Sequence, residues 1–340
     1  MIKNCLPTPP GTATGGNMKI ARILLIAMLV AFPLLCEAVE IVFCGSTGTQ
    51  FDLYRADLKT GEVIRLTDTE AEESMPAVSP DGQMLAFVSD RGGANSLYLM
   101  PLAGTASDVV NISSGMGAYA NPAFSPDGSK IAVQYAPGPE VVWASTSIVL
   151  LDLKTKQQQT IIDSTRLRTG ENTETTTIVD RPVWVSDSLL VYVLAEYSDP
   201  EAGRLSKSTL YMYDLKKQQH VRIAGGESYY NAEGEAMGFK AVMPSIISEK
   251  DRSRSLLFTA VRGATDRAPM KMALPAGNKG VIELSDPEFF GPILYLDGHW
   301  IYGTMSEEGV TAIAWRAGEG KEPKQTLKFA GRIIYPAIIR

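Results

Sequence analysis

The sequence predicts an all-β protein, a six-bladed β-propeller whose C-terminal strand closes the ring against the N-terminal strands. Two observations carry this. A proline-centred signature recurs six times, with prolines at 76, 122, 182, 244, 292 and 336 and intervals of 46, 60, 62, 48 and 44 residues. That spacing suits one four-stranded blade per repeat, with insertions in the two longer intervals. The strand count also closes from both ends. Three strands precede the first repeat without a leading strand of their own, and the last repeat is a leading strand alone, because the chain ends five residues after Tyr335.

Composition narrows the function classes. Of the 340 residues 45% are hydrophobic and 21% charged, as in a globular chain with ample length to bury a core. Lys and Arg total 32 against 38 Asp and Glu, a formal charge of −6 without a basic run, which speaks against a nucleic-acid partner. Three cysteines exclude a disulfide-rich scaffold, and two histidines leave little for a histidine-based metal site. No cofactor is called for.

In chain order, residues 1–38 read as an N-terminal extension and signal peptide, and residues 39–340 as the propeller. Residues 1–17 are rich in Pro, Thr and Gly and precede a second methionine, Met18, the alternative start. Met18–Arg22 supply a basic region, Ile23–Leu35 an apolar run of 13 residues, and Cys36-Glu37-Ala38 a cleavage site. A spanning helix needs roughly 20 apolar residues, so the run is read as a removed leader and not as an anchor. The expected address is the periplasm or the exterior. Membrane association is expected only if Cys36 is lipidated, and Leu35 before it departs from the small residue that such cleavage prefers. Removal of residues 1–38 takes the formal charge from −6 to −8 and leaves Cys44 as the remaining cysteine, a small hydrophobe on a strand.

The signature itself is a hairpin. Met75-Pro76-Ala77-Val78-Ser79-Pro80-Asp81-Gly82 recurs as Asn121-Pro122-Ala123-Phe124-Ser125-Pro126-Asp127-Gly128. Proline sets φ at the second turn position, aspartate tolerates the third, and glycine takes the left-handed position that returns the chain. Each copy precedes an apolar strand, as at Met84–Ser89 and Lys130–Tyr135. Third strands follow at Ser96–Leu102, Ser147–Leu153, Thr209–Leu215 and Met270–Leu274, with outer strands such as Gln159–Ile162 and His220–Ile223. Weaker copies begin at Arg181, Met243, Gly291 and Tyr335. Pairing Arg332–Arg340 with Glu40–Ser46, Phe51–Leu58 and Glu62–Thr67 completes the sixth blade and removes its open edge.

Leu66-Thr67-Asp68, the stretch from Met75-Pro76 to Phe87-Val88-Ser89-Asp90-Arg91-Gly92-Gly93, and Leu97-Tyr98-Leu99-Met100 together resemble the repeat of the TolB-type six-bladed propeller. The resemblance covers most of residues 40–340 and is sharpest in the first two repeats. It implies a place in the bacterial cell envelope. TolB proteins also carry an N-terminal α/β domain, for which no room is expected between Ala38 and the first strands. The motif specifies architecture and says little about activity.

Chemistry is sparse. No Gly-Xaa-Ser-Xaa-Gly elbow is present and no hydrolase domain is expected after the propeller. His220 and His299 read as solvent-facing polar residues, and Asp81, Asp127, Asp187 and Asp297 as turn residues. Gly92-Gly93 and Gly225-Gly226 read as strand-end loops. Glu72, Glu73, Glu233 and Glu235 are the carboxylates available for an alternative reading, a glycan hydrolase or lyase.

Loop placement is more informative. The connections between blades, and between second and third strands, leave on one face and hold the insertions Ala136–Thr146, Asp163–Asp180, Tyr197–Ser208 and Glu227–Phe239. The other face has short turns such as Lys59-Thr60-Gly61 and Lys216-Lys217-Gln218. Functional loops on rigid scaffolds concentrate in this way. The partner-binding candidates are the aromatic residues Trp143, Tyr197, Tyr229 and Tyr230, with Arg181, Met243 and Tyr335 placed near the channel mouth by their blade-opening prolines. Acids outnumber bases in the loops of this face, which favours a cationic or mixed partner. The resulting expectation is a monomeric, non-catalytic binding propeller that holds an envelope protein or a glycan.

Overall fold

The computed structural model describes residues 39–113, 117–138, 146–167, 175–199, 204–232, 236–248, 253–263, 266–274, 282–283, 289–296, 298–305, 311–317 and 324–339. Six antiparallel sheets account for the strands. The first blade runs Glu73–Val78, Met84–Ser89, Ser96–Pro101 and Val110–Asn111, and the next four repeat that order with inner strands Ala118–Phe124, Thr176–Ser186, Lys240–Ser248 and Phe289–Leu296. The sixth sheet joins the two ends of the chain. Its inner strand Arg332–Ile338 pairs with Glu40–Ser46, placing Ile41 opposite Ile338 and Ser46 opposite Arg332. Asp52–Asp57 and Val63–Arg65 complete it.

The core is divided in the same way. Each of six apolar clusters lies between two neighbouring blades. Side chains alternate along a strand, so a blade buried on both faces serves two clusters at once. In Glu40–Ser46, Ile41 and Phe43 pack toward the fifth blade beside Ile301 and Trp315. Val42 and Cys44 pack toward the first, beside Leu85 and Phe87.

The short turns follow the sequence reading. Gly82 N–H donates to the Ser79 carbonyl at 2.9 Å, and Gly82 and Gly128 both sit at φ 70°. The Ser125 hydroxyl donates to Asp127 Oδ1 at 2.6 Å and the Ser129 N–H at 3.0 Å. These donors hold the Asp127 carboxyl at about 2. On the same face Asp57, Asp152 and Asp214 each accept two backbone N–H groups from the turn that follows them.

The third blade departs from the sequence reading. Its strands Thr176–Ser186, Leu189–Asp199, Arg204–Asp214 and Gln219–Tyr230 have 11, 11, 11 and 12 residues, against six in the first three strands of the first blade. Among the described residues, Tyr197–Ser208 and Glu227–Phe239, expected as loops, are therefore largely strand, Asp163–Asp180 contributes the strand residues 176–180, and most of Ala136–Thr146 lies outside the described residues. Backbone polar groups in these stretches find ladder partners, which an extended loop would have to find in water. A fifth strand, Ala236–Gly238, folds back on Ser228–Tyr230. Gly225 and Gly226 lie inside Gln219–Tyr230 and not at a strand end. Gly225 adopts φ +85°, and a Cβ there would stand 2.5 Å from the Ser208 carbonyl oxygen and 2.6 Å from the Ala241 Cβ. Only glycine permits this approach of the third blade to the fourth.

Candidate functional site

All six blades contribute to a central cavity of about 450 Å³ along the propeller axis. Its wall is built by one repeated device. The inner strands skip register between Ser74 and Ala77, Ala120 and Ala123, Asp180 and Val183, Val242 and Ser245, and Phe290 and Ile293. Arg332–Ile338 is irregular at the matching place. Each of these bulges contains the repeated proline, which cannot donate to a ladder and is tolerated on an inner edge strand at a bulge. The prolines thus sit within the inner strands and do not open the blades.

The residue before the proline is the unusual one. Met75, Asn121, Arg181, Met243 and Tyr335 have φ between 47° and 54°. Left-handed backbone costs roughly 1–3 kcal/mol for residues other than glycine. All five line the cavity. At the equivalent place the fifth blade has Gly291. Five inner strands therefore carry a side chain into the channel at a position where glycine is the cheaper residue.

A polar relay joins part of this ring. The Asn121 backbone N–H donates to Met75 Sδ at 3.2 Å. Asn121 Nδ2 donates to Gln134 Oε1 at 3.0 Å and to Asp180 Oδ1 at 2.6 Å, and Asp180 Oδ2 lies 3.4 Å from Arg181 Nε. Burial raises the Asp180 carboxyl above its usual range, against the pull of Arg181 and Asn121. Burial also raises the Tyr197 phenol, reinforced by the Asp180 charge. Arg181 and Arg254 are the charged residues among those lining the cavity, so the wall is cationic although the chain is acidic.

The binding candidates divide accordingly. Arg181, Met243 and Tyr335 line the cavity and lie within the inner strands. Met75 and Asn121 complete the set, and their signal is their place before the same proline. Tyr197 belongs to Leu189–Asp199 and packs against the cluster between the third and fourth blades. Tyr229 and Tyr230 stand in a strand, opposite Met237 and Ala236, and not in a loop. Trp143 lies outside the described residues.

The carboxylates of the alternative reading serve the scaffold where they are described. Glu73 is fully buried and binds the Arg91 guanidinium at 2.6 Å. Glu72 accepts the Phe51 N–H at 3.1 Å. Glu233 and Glu235 lie outside the described residues. His220 is exposed as expected, yet its Nδ1 shares a 2.9 Å hydrogen bond with the buried Tyr192 hydroxyl, and desolvation lowers its pKa.

Residues 35–171 match the TolB beta propeller domain. The fold is a six-bladed propeller, TolB-like over that segment. This TolB-like propeller aligns with the structure of TolB from Acinetobacter baumannii at a TM-score of 0.65, over 97% of this chain and 74% of that one. The identity is 14%, so the likeness is one of fold. An uncharacterized peptidase of Bacillus subtilis is 39% identical over 84 residues, 24% of this chain and 12% of the relative. An uncharacterized protein of Agrobacterium fabrum is 30% identical over 89 residues, 26% of this chain and 30% of the relative. The TolB-like propeller thus aligns with less than a third of either curated relative.

Proposed function

We propose that this chain is an exported, non-catalytic binding propeller of the cell envelope, which holds a protein partner in its central channel and on the face where the blades connect. The ring of five side chains at positive φ carries the reading. Strain held at a repeated position is retained where the side chain has work to do, and here the side chains face a cavity. The lengthened third blade adds a wall on one side, so the recognition surface is lopsided. The described carboxylates named for glycan chemistry are occupied in the scaffold, which favours binding over hydrolysis.

The test exploits the conflict between strain and binding. Met243→Gly should leave the melting temperature unchanged or raise it, because glycine relieves the backbone at about 1 kcal/mol, and Tyr335→Gly, which also loses packing against the cluster between the sixth and first blades, should lower it only modestly. Both should weaken a partner isolated from envelope extract and then purified, each by about tenfold or more, as buried anchors do. The double change Tyr229→Ala and Tyr230→Ala should also weaken it, whereas replacing Lys216 and Lys217 on the opposite face should leave it unaffected. Glycine variants that unfold the protein, or bind at full strength, would show that the ring is structural.

Export rests on the leader read in residues 18–38. Among the described residues no helix is long and apolar enough to cross a membrane. N-terminal sequencing of the exported protein should begin at Val39. A diacylated Cys36 in its place would make the protein a lipid-anchored one.

A further inference from the structure

We propose that Arg181 is a carboxylate clasp in the channel wall, and that the channel takes an extended peptide by a carboxylate it carries. The inference rests on the binding role proposed above and adds the chemistry of the ligand. Arg181 meets Asp180 through Nε, and among the described residues that is its one polar contact. Among the described residues no partner holds its two Nη groups, which lie beside the cavity that Arg181 lines. A guanidinium offers paired donors in a planar fork that matches a carboxylate.

The support behind it is laid out for orientation. Gln134 is buried and holds the Asn121 amide, Asn121 holds one oxygen of Asp180, and the other oxygen faces Arg181 Nε. A guanidinium held from behind loses less side-chain entropy when it binds. Tyr335, three blades away across the ring, lines the same cavity, and among the described residues its hydroxyl has no hydrogen-bond partner.

A peptide suits the remaining wall better than a sugar does. Met75, Met243, Trp184 and the prolines at 76, 122, 182, 244 and 336 line it. Flexible thioethers adapt to apolar side chains, and the Trp184 indole N–H is spent on the Ala123 carbonyl at 3.1 Å. A glycan would need partners for many hydroxyls, whereas a peptide needs the clasp for its charge and the apolar wall for its neighbours. Acids outnumber bases in segments 136–146, 163–180, 197–208 and 227–239, and a partner of mixed charge satisfies both these and the cationic wall.

The probe is a synthetic library of N-acetylated octapeptides with free C-termini, screened against the whole exported protein. The recovered peptides should share a carboxylate at one position. Converting it to the amide should weaken binding about tenfold or more, as should Arg181→Gln, and the two changes together should cost little beyond either alone. Asn for an internal Asp, or a C-terminal amide, tells a side-chain carboxylate from a terminal one. Arg181→Lys should recover only part of the affinity, since an ammonium lacks the fork. Arg181→Gln leaves Asp180 without its cation, so the double variant Asp180→Asn with Arg181→Gln provides a neutral wall if the single variant folds poorly. Peptides weakened by Met243→Gly and Tyr335→Gly but indifferent to amidation and to Arg181→Gln would overturn the clasp and leave channel binding standing. Peptides indifferent to every channel variant would overturn both. Tighter capture of an alginate oligomer than of any peptide would overturn the choice of a peptide.

Discussion

Deleting residues 333–340 should abolish the cooperative thermal transition or lower it by on the order of 10 °C. Among the described residues this segment supplies the inner strand of the sixth blade, and its pairing with Glu40–Ser46 joins the two ends of the propeller chain. Ile333 is 4% exposed and packs with Val39, Ile41 and Phe43 on one side and with Ile313 and Trp315 of the fifth blade on the other. Ile334 and Ile339 pack into the next cluster around Val42 and Leu85. Full burial of a large aliphatic side chain contributes about 1.5–3 kcal/mol, so the buried Ile333 with the partly buried Ile334 and Ile339 supplies a large share of the roughly 5–15 kcal/mol that holds a domain folded. The deletion also exposes the inner edge of Glu40–Ser46, a strand buried on both faces and prone to pair with another chain once open. Calorimetry with size-exclusion chromatography reads both effects. A truncated monomer that melts at the parental temperature would show that the ring does not depend on this strand.

The parts of the molecule legible in sequence are those set by local chemistry. Ser-Pro-Asp-Gly dictates a turn whatever surrounds it, because proline, aspartate and glycine each satisfy one dihedral requirement. Two such turns at one spacing already define a blade. Closure is legible for a different reason, the unmatched strands at the two ends. The third blade is harder to read. Thr176–Asp180, Arg204–Ser208 and Gly225–Tyr230 are polar or glycine-containing stretches that resemble loops, and they become strands because each finds a neighbour in the lengthened sheet. Tertiary pairing overrides local propensity there.

The candidate site is legible only in part for a similar reason. Arg181, Met243 and Tyr335 stand out as residues before a proline, and the same rule extends to Met75 and Asn121. Their left-handed backbone could not be foreseen, since the residue before proline ordinarily prefers extended φ and ψ. Nor could the relay. Asn121 and Asp180 are 59 residues apart, and they meet because consecutive inner strands face one axis. The cationic wall follows from that geometry and not from the overall charge of −6.

Replacing Arg91 by alanine should destabilise the propeller by roughly 3–5 kcal/mol, the cost of leaving a buried charge without its partner. Glu73 begins the inner strand of the first blade and is 0% exposed. Its Oε1 receives the Arg91 guanidinium at 2.6 Å and the Thr69 hydroxyl at 2.8 Å, while its Oε2 has no hydrogen-bond partner. Arg91 is the cation that makes this carboxylate tolerable. Its guanidinium carbon lies 5.4 Å from the Phe87 ring centre and 5.0 Å from that of Tyr98, so its packing is lost with its charge. The pair itself is a different matter. Two buried charges replaced by apolar groups of similar volume often leave stability unchanged or improve it. Glu73→Leu with Arg91→Met should therefore recover most of what Arg91→Ala loses, and Glu73→Gln with Arg91→Ala should recover part. Urea titrations of the three variants and the parent measure this directly. If Arg91→Ala alone lies within about 1 kcal/mol of the parent, the carboxylate has found solvent or another donor, and the stability of the first blade does not depend on the ion pair.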